Sequence, residues 1–236
     1  MSTAIVFLCI SVPYLIATKK VEKWSLLQWV FWLLGAICVS FAITGPLMHH
    51  AHHHFFSHMV IHLLLGMAAP LFFVLAKPGA LFLRALPTFI ARRVTKLIRS
   101  KVVQFICHPV TAGILNIGGL WLLYTTDLWT LMQTSAVAHF AIHLHVFLAG
   151  YLFTYVILHV DFMPHRASWT MRVGTLIVAI AGHNILAKWL YAAFPQGESA
   201  ALLMYYGGGV IEIALIIILC IEWYRMKDPV QATQTN

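Results

Sequence analysis

Charge is what this sequence has least of. Only 9% of its 236 residues are Asp, Glu, Lys or Arg, against about 25% in an ordinary soluble domain. A chain so poor in charge, with 61% hydrophobic residues, cannot cover a water-facing surface, so lipid must solvate much of it. The apolar runs are continuous and do not alternate, which excludes a membrane β-barrel and leaves helices. Cysteine is sparse: Cys9, Cys38, Cys107 and Cys220 stand apart with no CxxC spacing, so no disulfide framework is expected. All four suit packing as small apolar residues. Cys9 and Cys38, in the outer halves of their segments, could alternatively add a soft ligand. No basic residue precedes the first apolar run and Lys19 and Lys20 follow it. That is the reverse of a secretory signal's charge order, so this run is expected to be a membrane helix.

A spanning helix takes about 20 mainly apolar residues, and seven such segments are expected. They are roughly Thr3–Ala17, Leu26–Thr44, His58–Ala76, Val102–Tyr124, Ala136–Leu158, Met171–Phe194 and Ala201–Tyr224. The fold class is therefore all-α, a polytopic seven-helix membrane bundle occupying residues 1–226, with a polar tail over 227–236. The net charge of +8 suggests nucleic acid until the charges are placed. Fourteen of the 15 basic residues fall on alternate connections and the chain's end: Lys19, Lys20 and Lys23; Lys77 to Lys101; Arg166 and Arg172; Arg225 and Lys227. The other set of loops has none. By the positive-inside rule the N-terminus lies outside and the C-terminus in the cytoplasm, and the basic residues serve topology and anionic lipid. No nucleic-acid partner is required. Residues 79–101 mix leucine and phenylalanine with six basic residues and are expected to lie as an amphipathic stretch on the cytoplasmic membrane face.

Against this scarcity of charge stands an abundance of histidine. Residues 48–62, "MHHAHHHFFSHMVIH", hold seven. His49, His50, His52, His53 and His54 fall in an outer loop, either a weak ion-capturing tract or a merely polar connection. His58 and His62 open segment three four residues apart, which puts both on one helix face with Cβ atoms about 5–6 Å apart. His139 and His143 repeat that spacing in segment five, and His145 points to a different face. His183 in segment six and Glu212 in segment seven lie at similar depth, with Lys188 nearer the outer end. A charged group in a bilayer costs about 2.5–3.5 kcal/mol on insertion scales, so these groups need partners. Neutral imidazole is the form that binds metal, and the two paired sets are read as ligands. For His183 a ligand role and a hydrogen bond to a neighbouring helix stay equally open. His108 and His159, near the cytoplasmic ends, suit plain hydrogen bonding. Glu212 either pairs with Lys188 or joins the site. All-nitrogen sites suit zinc, copper, iron or nickel, and Met48, Met59 and Met67 nearby tilt the choice toward copper.

Three longer stretches carry a resemblance. "SHMVIHLLLGMAAPLFFVLAKP" (57–78), "HFAIHLHVFLAGYLFTYVILHVDFMPHR" (139–166) and "AGHNILAKWLY" (181–191) resemble the membrane-embedded CtaG family, the caa3-type cytochrome c oxidase assembly factors of bacteria. The resemblance implies a seven-helix protein of the bacterial plasma membrane that helps copper reach a haem-copper oxidase subunit. Carried over by motif position, the family's histidines fall on His58, His62, His139, His143, His145 and His183, and its loop signature on Asp161, Pro164 and Arg166. Where the family reads Asp-Pro, this chain has Asp161-Phe162; the HHAHHH tract has no counterpart. The expected function is thus copper handling without catalysis. A haem-binding redox protein would instead place single histidines at matched depth on facing helices, as with His183 opposite His143. A metal permease would carry polar groups through the cytoplasmic half, where they thin out.

Overall fold

The computed structural model describes residues 2–51, 54–194 and 197–227, with Pro46, His49 and Lys227 described by backbone alone. Among the described residues the chain is helical with no strand. We number the helices α1 (Thr3–Lys19), α2 (Leu26–Ile43), α3 (Gly45–Ala51), α4 (Phe55–Leu75), α5 (Pro78–Ala85), α6 (Thr88–Ile98), α7 (Lys101–Ile106), α8 (residues 109–125), α9 (Leu128–Thr134), α10 (Ala136–Leu158), α11 (Trp169–Ala193) and α12 (Glu198–Lys227). Five of them, α2, α4, α10, α11 and α12, are long and apolar enough to cross a bilayer. The 17-residue α1 is apolar but shorter. Segment four differs from expectation: it breaks at Cys107 and His108, and α8 restarts at Pro109. The proline ring disfavours helical backbone at the residue before it.

Local chemistry sets the ends. Ser25 and Gln28 form a capping box at α2, and Ser135 and Ser168 accept from the third residue of α10 and α11, satisfying N–H groups a helix start leaves orphaned. Gly45, at φ +77°, turns α2 into α3. His52 and His53 lie outside the described residues, and His50 and His54 flank that gap.

Outward faces are apolar. Val137, Phe140, Leu144 and Leu148 on α10 and Val210, Ile213 and Ile217 on α12 are all exposed, as a lipid-solvated surface requires. Lipid gives helices no hydrophobic reason to associate, so close packing through small residues must do it. At Gly66 of α4 and Gly150 of α10 the backbones touch: a Cβ on Gly150 would lie 2.1 Å from the Gly66 carbonyl oxygen. Tyr14 ties α1 into the bundle, stacking on Trp32 at 4.2 Å and donating to the Ala76 carbonyl at 2.8 Å. A layer of Leu71, Val74, Phe153, Val156, Ile157 and Leu176 fills the middle of the bundle. Beyond it, at the end opposite the paired histidines of α4 and α10, α11 and α12 are pinned by Arg172 and Glu222, which form two parallel bonds of 2.7 and 2.9 Å. The expected amphipathic stretch is two helices, α5 and α6, split at Pro87; no residue of α6 is buried, and its Arg92, Arg93 and Lys96 are exposed.

Candidate metal centre

His58 and His62 lie one turn apart on α4, both buried. On α10 His139 is buried and His143 half-buried. The helices bring the two sets together as the spacing predicts. The His58 and His143 rings face each other across α4 and α10, centroids 5.6 Å apart and nearly perpendicular, and His139 lies 4.3 Å from His143. His143 Nδ1 meets the His139 carbonyl at 2.9 Å. A carbonyl only accepts, so the proton sits on Nδ1 and the lone pair on Nε2. His58 Nε2 lies 3.2 Å from the Tyr124 hydroxyl, and its ring packs edge-on against Trp129 at 4.6 Å. Phe55 contacts both aromatic rings, so three aromatic side chains wall His58 on that side.

One turn further along α4, His62 faces His183 of α11, their centroids 6.4 Å apart. His183 is buried, and its Nδ1 is 2.9 Å from Glu212 Oε1. The carboxylate stands within ion-pair distance of the imidazole, but the approach lacks hydrogen-bond geometry at Nδ1. Neither His62 Nε2 nor His183 Nε2 has a hydrogen-bond partner among the described residues. Gly208 of α12 lets that helix pass directly over the His183 ring. Glu212 therefore pairs with His183, with Asn184 Nδ2 at 3.4 Å from its other oxygen, and not with Lys188. The reason is angular: five residues turn about 140° around an α-helix. Lys188 thus points elsewhere, over the Tyr205 ring at 5.5 Å.

His145 turns toward α8, where its Nε2 meets the Leu115 carbonyl at 3.1 Å. That carbonyl lies in a π turn, Ile114–Gly118, whose widened ladder leaves a carbonyl in need of a donor. Cys9 is exposed and Cys38 partly so; both are free thiols. Sequence reasoning missed Tyr124 and Trp129, which carry no ligand spacing and reach His58 only through the α8–α9 turn. Among the described residues no group of three or more His, Cys, Asp or Glu side chains is arranged to hold a metal ion.

A family model for the cytochrome c oxidase caa3 assembly factor, Caa3_CtaG, matches residues 12–226. The chain belongs to this family. Uncharacterized proteins of Mycobacterium bovis and Mycobacterium tuberculosis are each 28% identical to it over 243 residues, covering 92% of this chain and 37% of theirs. One from Mycobacterium leprae is 29% identical over 193 residues, covering 77% of this chain and 29% of its own. The chain thus spans only about a third of the length of these relatives, between 29% and 37%. No solved structure matches it.

The Caa3_CtaG loop signature has a visible purpose here. Asp161 accepts from Gly79 N at 2.7 Å and Ala80 N at 2.8 Å, capping α5 from the far side of the bundle. A Cβ on Gly79 would lie 2.8 Å from its Oδ2, so only glycine fits beside it. Asp161 also accepts from Phe162 N at 2.7 Å. A proline at that position has no N–H to give, so the departure from Asp-Pro adds a bond and the loop keeps its cap.

Proposed function

We propose that this assembly factor binds copper in the outer half of the bilayer and hands it to a haem-copper oxidase subunit in the bacterial plasma membrane, without itself catalysing a reaction. In this reading seven segments cross, α1 and α8 joining the five longer helices. At 17 residues each of these two reaches about 26 Å, near the hydrocarbon thickness of about 30 Å. The alternating basic loops support an orientation with the N-terminus outside and the histidine pairs toward that face.

The observation that carries the reading is the facing pair His58 and His143, 5.6 Å apart, with the His143 lone pair set on Nε2 by its bond to the His139 carbonyl. Metal–nitrogen bonds near 2 Å let one ion sit between two such rings, and copper in its +1 state accepts as few as two nitrogens. His139 and His62 flank the pair. His145 stays outside this ligand set because it turns away from the pair toward α8, where its Nε2 donates to the Leu115 carbonyl. Family membership supports the oxidase as partner. Copper per protein, measured on the purified chain, tests it: wild type retains copper and His58→Ala with His143→Ala loses it. Unchanged stoichiometry in the double variant refutes the ligand set.

Haem fits less well. The cavity between His62 and His183 is about 30 Å³, far below the roughly 300–1,000 Å³ of pockets that take cofactor-sized ligands.

A further inference from the structure

That small cavity has its own chemistry. It is lined by His62, Met67, Asn116, Thr154, His183 and Glu212, from five helices of the bundle. A volume of about 30 Å³ holds an ion or two waters, since one water needs about 10–15 Å³. Two imidazole nitrogens on its wall, His62 Nε2 and His183 Nε2, are buried with no hydrogen-bond partner among the described residues. Buried polar atoms left this way are uncommon in folded proteins, and an ion or a water in the adjoining cavity is one way to satisfy them.

The backbone adds a third donor. In an unbroken α-helix Met67 would stand about 140° from His62. The π turn at Leu64–Ala68, closed by i→i+5 bonds, brings Met67 round so that both residues line the same cavity. A thioether beside two imidazoles is a soft donor set, which selects Cu(I) over harder ions. Glu212 stands behind His183 at 2.9 Å, so a single positive charge in the cavity would be balanced by a single carboxylate.

We propose that this cavity is a second, deeper copper station, in which one Cu(I) is held by His62 Nε2, His183 Nε2 and the Met67 thioether, one helical turn inward of the His58–His143 pair. The assignment rests on copper being this protein's cargo. Loading is ligand exchange alone: nitrogen and sulfur lone pairs replace the incoming ion's previous donors, and no electron or proton is transferred. Two stations a turn apart repel each other's charge, so an arriving ion at the outer pair loosens the inner one for handover.

The test uses the purified full chain in detergent, loaded with Cu(I) without oxygen, washed with a competing Cu(I) chelator, and read by copper content and copper-edge X-ray absorption. Wild type is expected to retain two equivalents, with a sulfur scatterer beside nitrogen. Met67→Leu, which conserves volume, should retain one equivalent and lose the sulfur signal. His62→Gln provides the same readout at a second ligand should Met67→Leu fold poorly. His58→Ala with His143→Ala should retain one equivalent with sulfur intact. A wild-type spectrum without sulfur, or a sulfur signal unchanged in Met67→Leu, overturns the deeper station. A single equivalent, lost only in the His58→Ala, His143→Ala protein, overturns the station and leaves the copper reading standing. No copper in any form overturns both.

Discussion

Gly208 offers the sharpest test of how the helices hold His183. A Cβ at that position would lie 2.4 Å from His183 Cε1 and 3.3 Å from Nδ1, against an ordinary carbon contact of about 3.5–4.0 Å. Something must move by about 1 Å. If α12 backs away, the overpacking costs about 1–3 kcal/mol. If the ring turns instead, it gives up its 2.9 Å approach to Glu212. The neighbouring residue is a built-in control, because a Cβ on Gly209 meets nothing within 4 Å. Gly209→Ala should be neutral or stabilising by up to about 1 kcal/mol through helix propensity. Both variants share that propensity gain, so the overpacking of about 1–3 kcal/mol should set their melting temperatures about 2–12 °C apart in the same detergent, at about 2–4 °C per kcal/mol. Gly208→Ala should also retain less copper than Gly209→Ala. Equal melting temperatures and equal copper content would show that α12 does not press on His183, and the account of the inner pair would fail with it.

Three other perturbations act at the opposite end. Arg172 is buried, donates to the Ile157 carbonyl at 2.8 Å and grips Glu222, whose side chain is 26% exposed. Arg172→Leu should cost about 3 kcal/mol, the lower end for breaking a buried pair. Arg172→Leu with Glu222→Leu should recover most of it; equal losses in the single and double variants would mean the charge left unpaired is not what costs. Asp161→Asn keeps the shape but weakens three accepted N–H bonds. Protease sensitivity should rise in the 159–168 loop, and an unchanged digestion pattern would count against the cap. Burial, with Arg172 and Arg166 nearby, pushes His159 down to about 4, from about 6.5 in an unfolded chain. The folded protein thus holds His159 neutral, so its contribution is full above pH 6.5 and is lost as pH falls from 6.5 toward 4. His159→Asn, which tolerates the left-handed φ of 49°, should flatten that stretch of the melting-temperature profile, and an identical slope would refute the link.

Much of this arrangement was legible in the residues because two periodicities were unbroken. The four-residue spacing of His58 and His62, and of His139 and His143, needs only a regular helix to become a shared face, and helix packing brought the faces together. The apolar runs likewise mark α2, α4, α10, α11 and α12 within a few residues. What escaped depends on irregular backbone. The π turn that re-aims Met67 leaves no mark in a pattern that assumes 3.6 residues per turn, and neither does the one that occupies His145. The partner of Glu212 was decided by a 140° difference between two positions on α11 that depth alone does not reveal. Pro109 was visible throughout, and its effect on His108 could have placed the start of α8 correctly.

The apolar layer of Leu71, Val74, Phe153, Val156, Ile157 and Leu176 makes the histidine end a blind alley. A cation admitted there finds a floor of hydrocarbon, and must leave by the door it used or sideways between helices. A receiving subunit would then have to draw up alongside within the lipid plane, and a membrane that stores energy as a proton difference would keep its insulation while the exchange takes place.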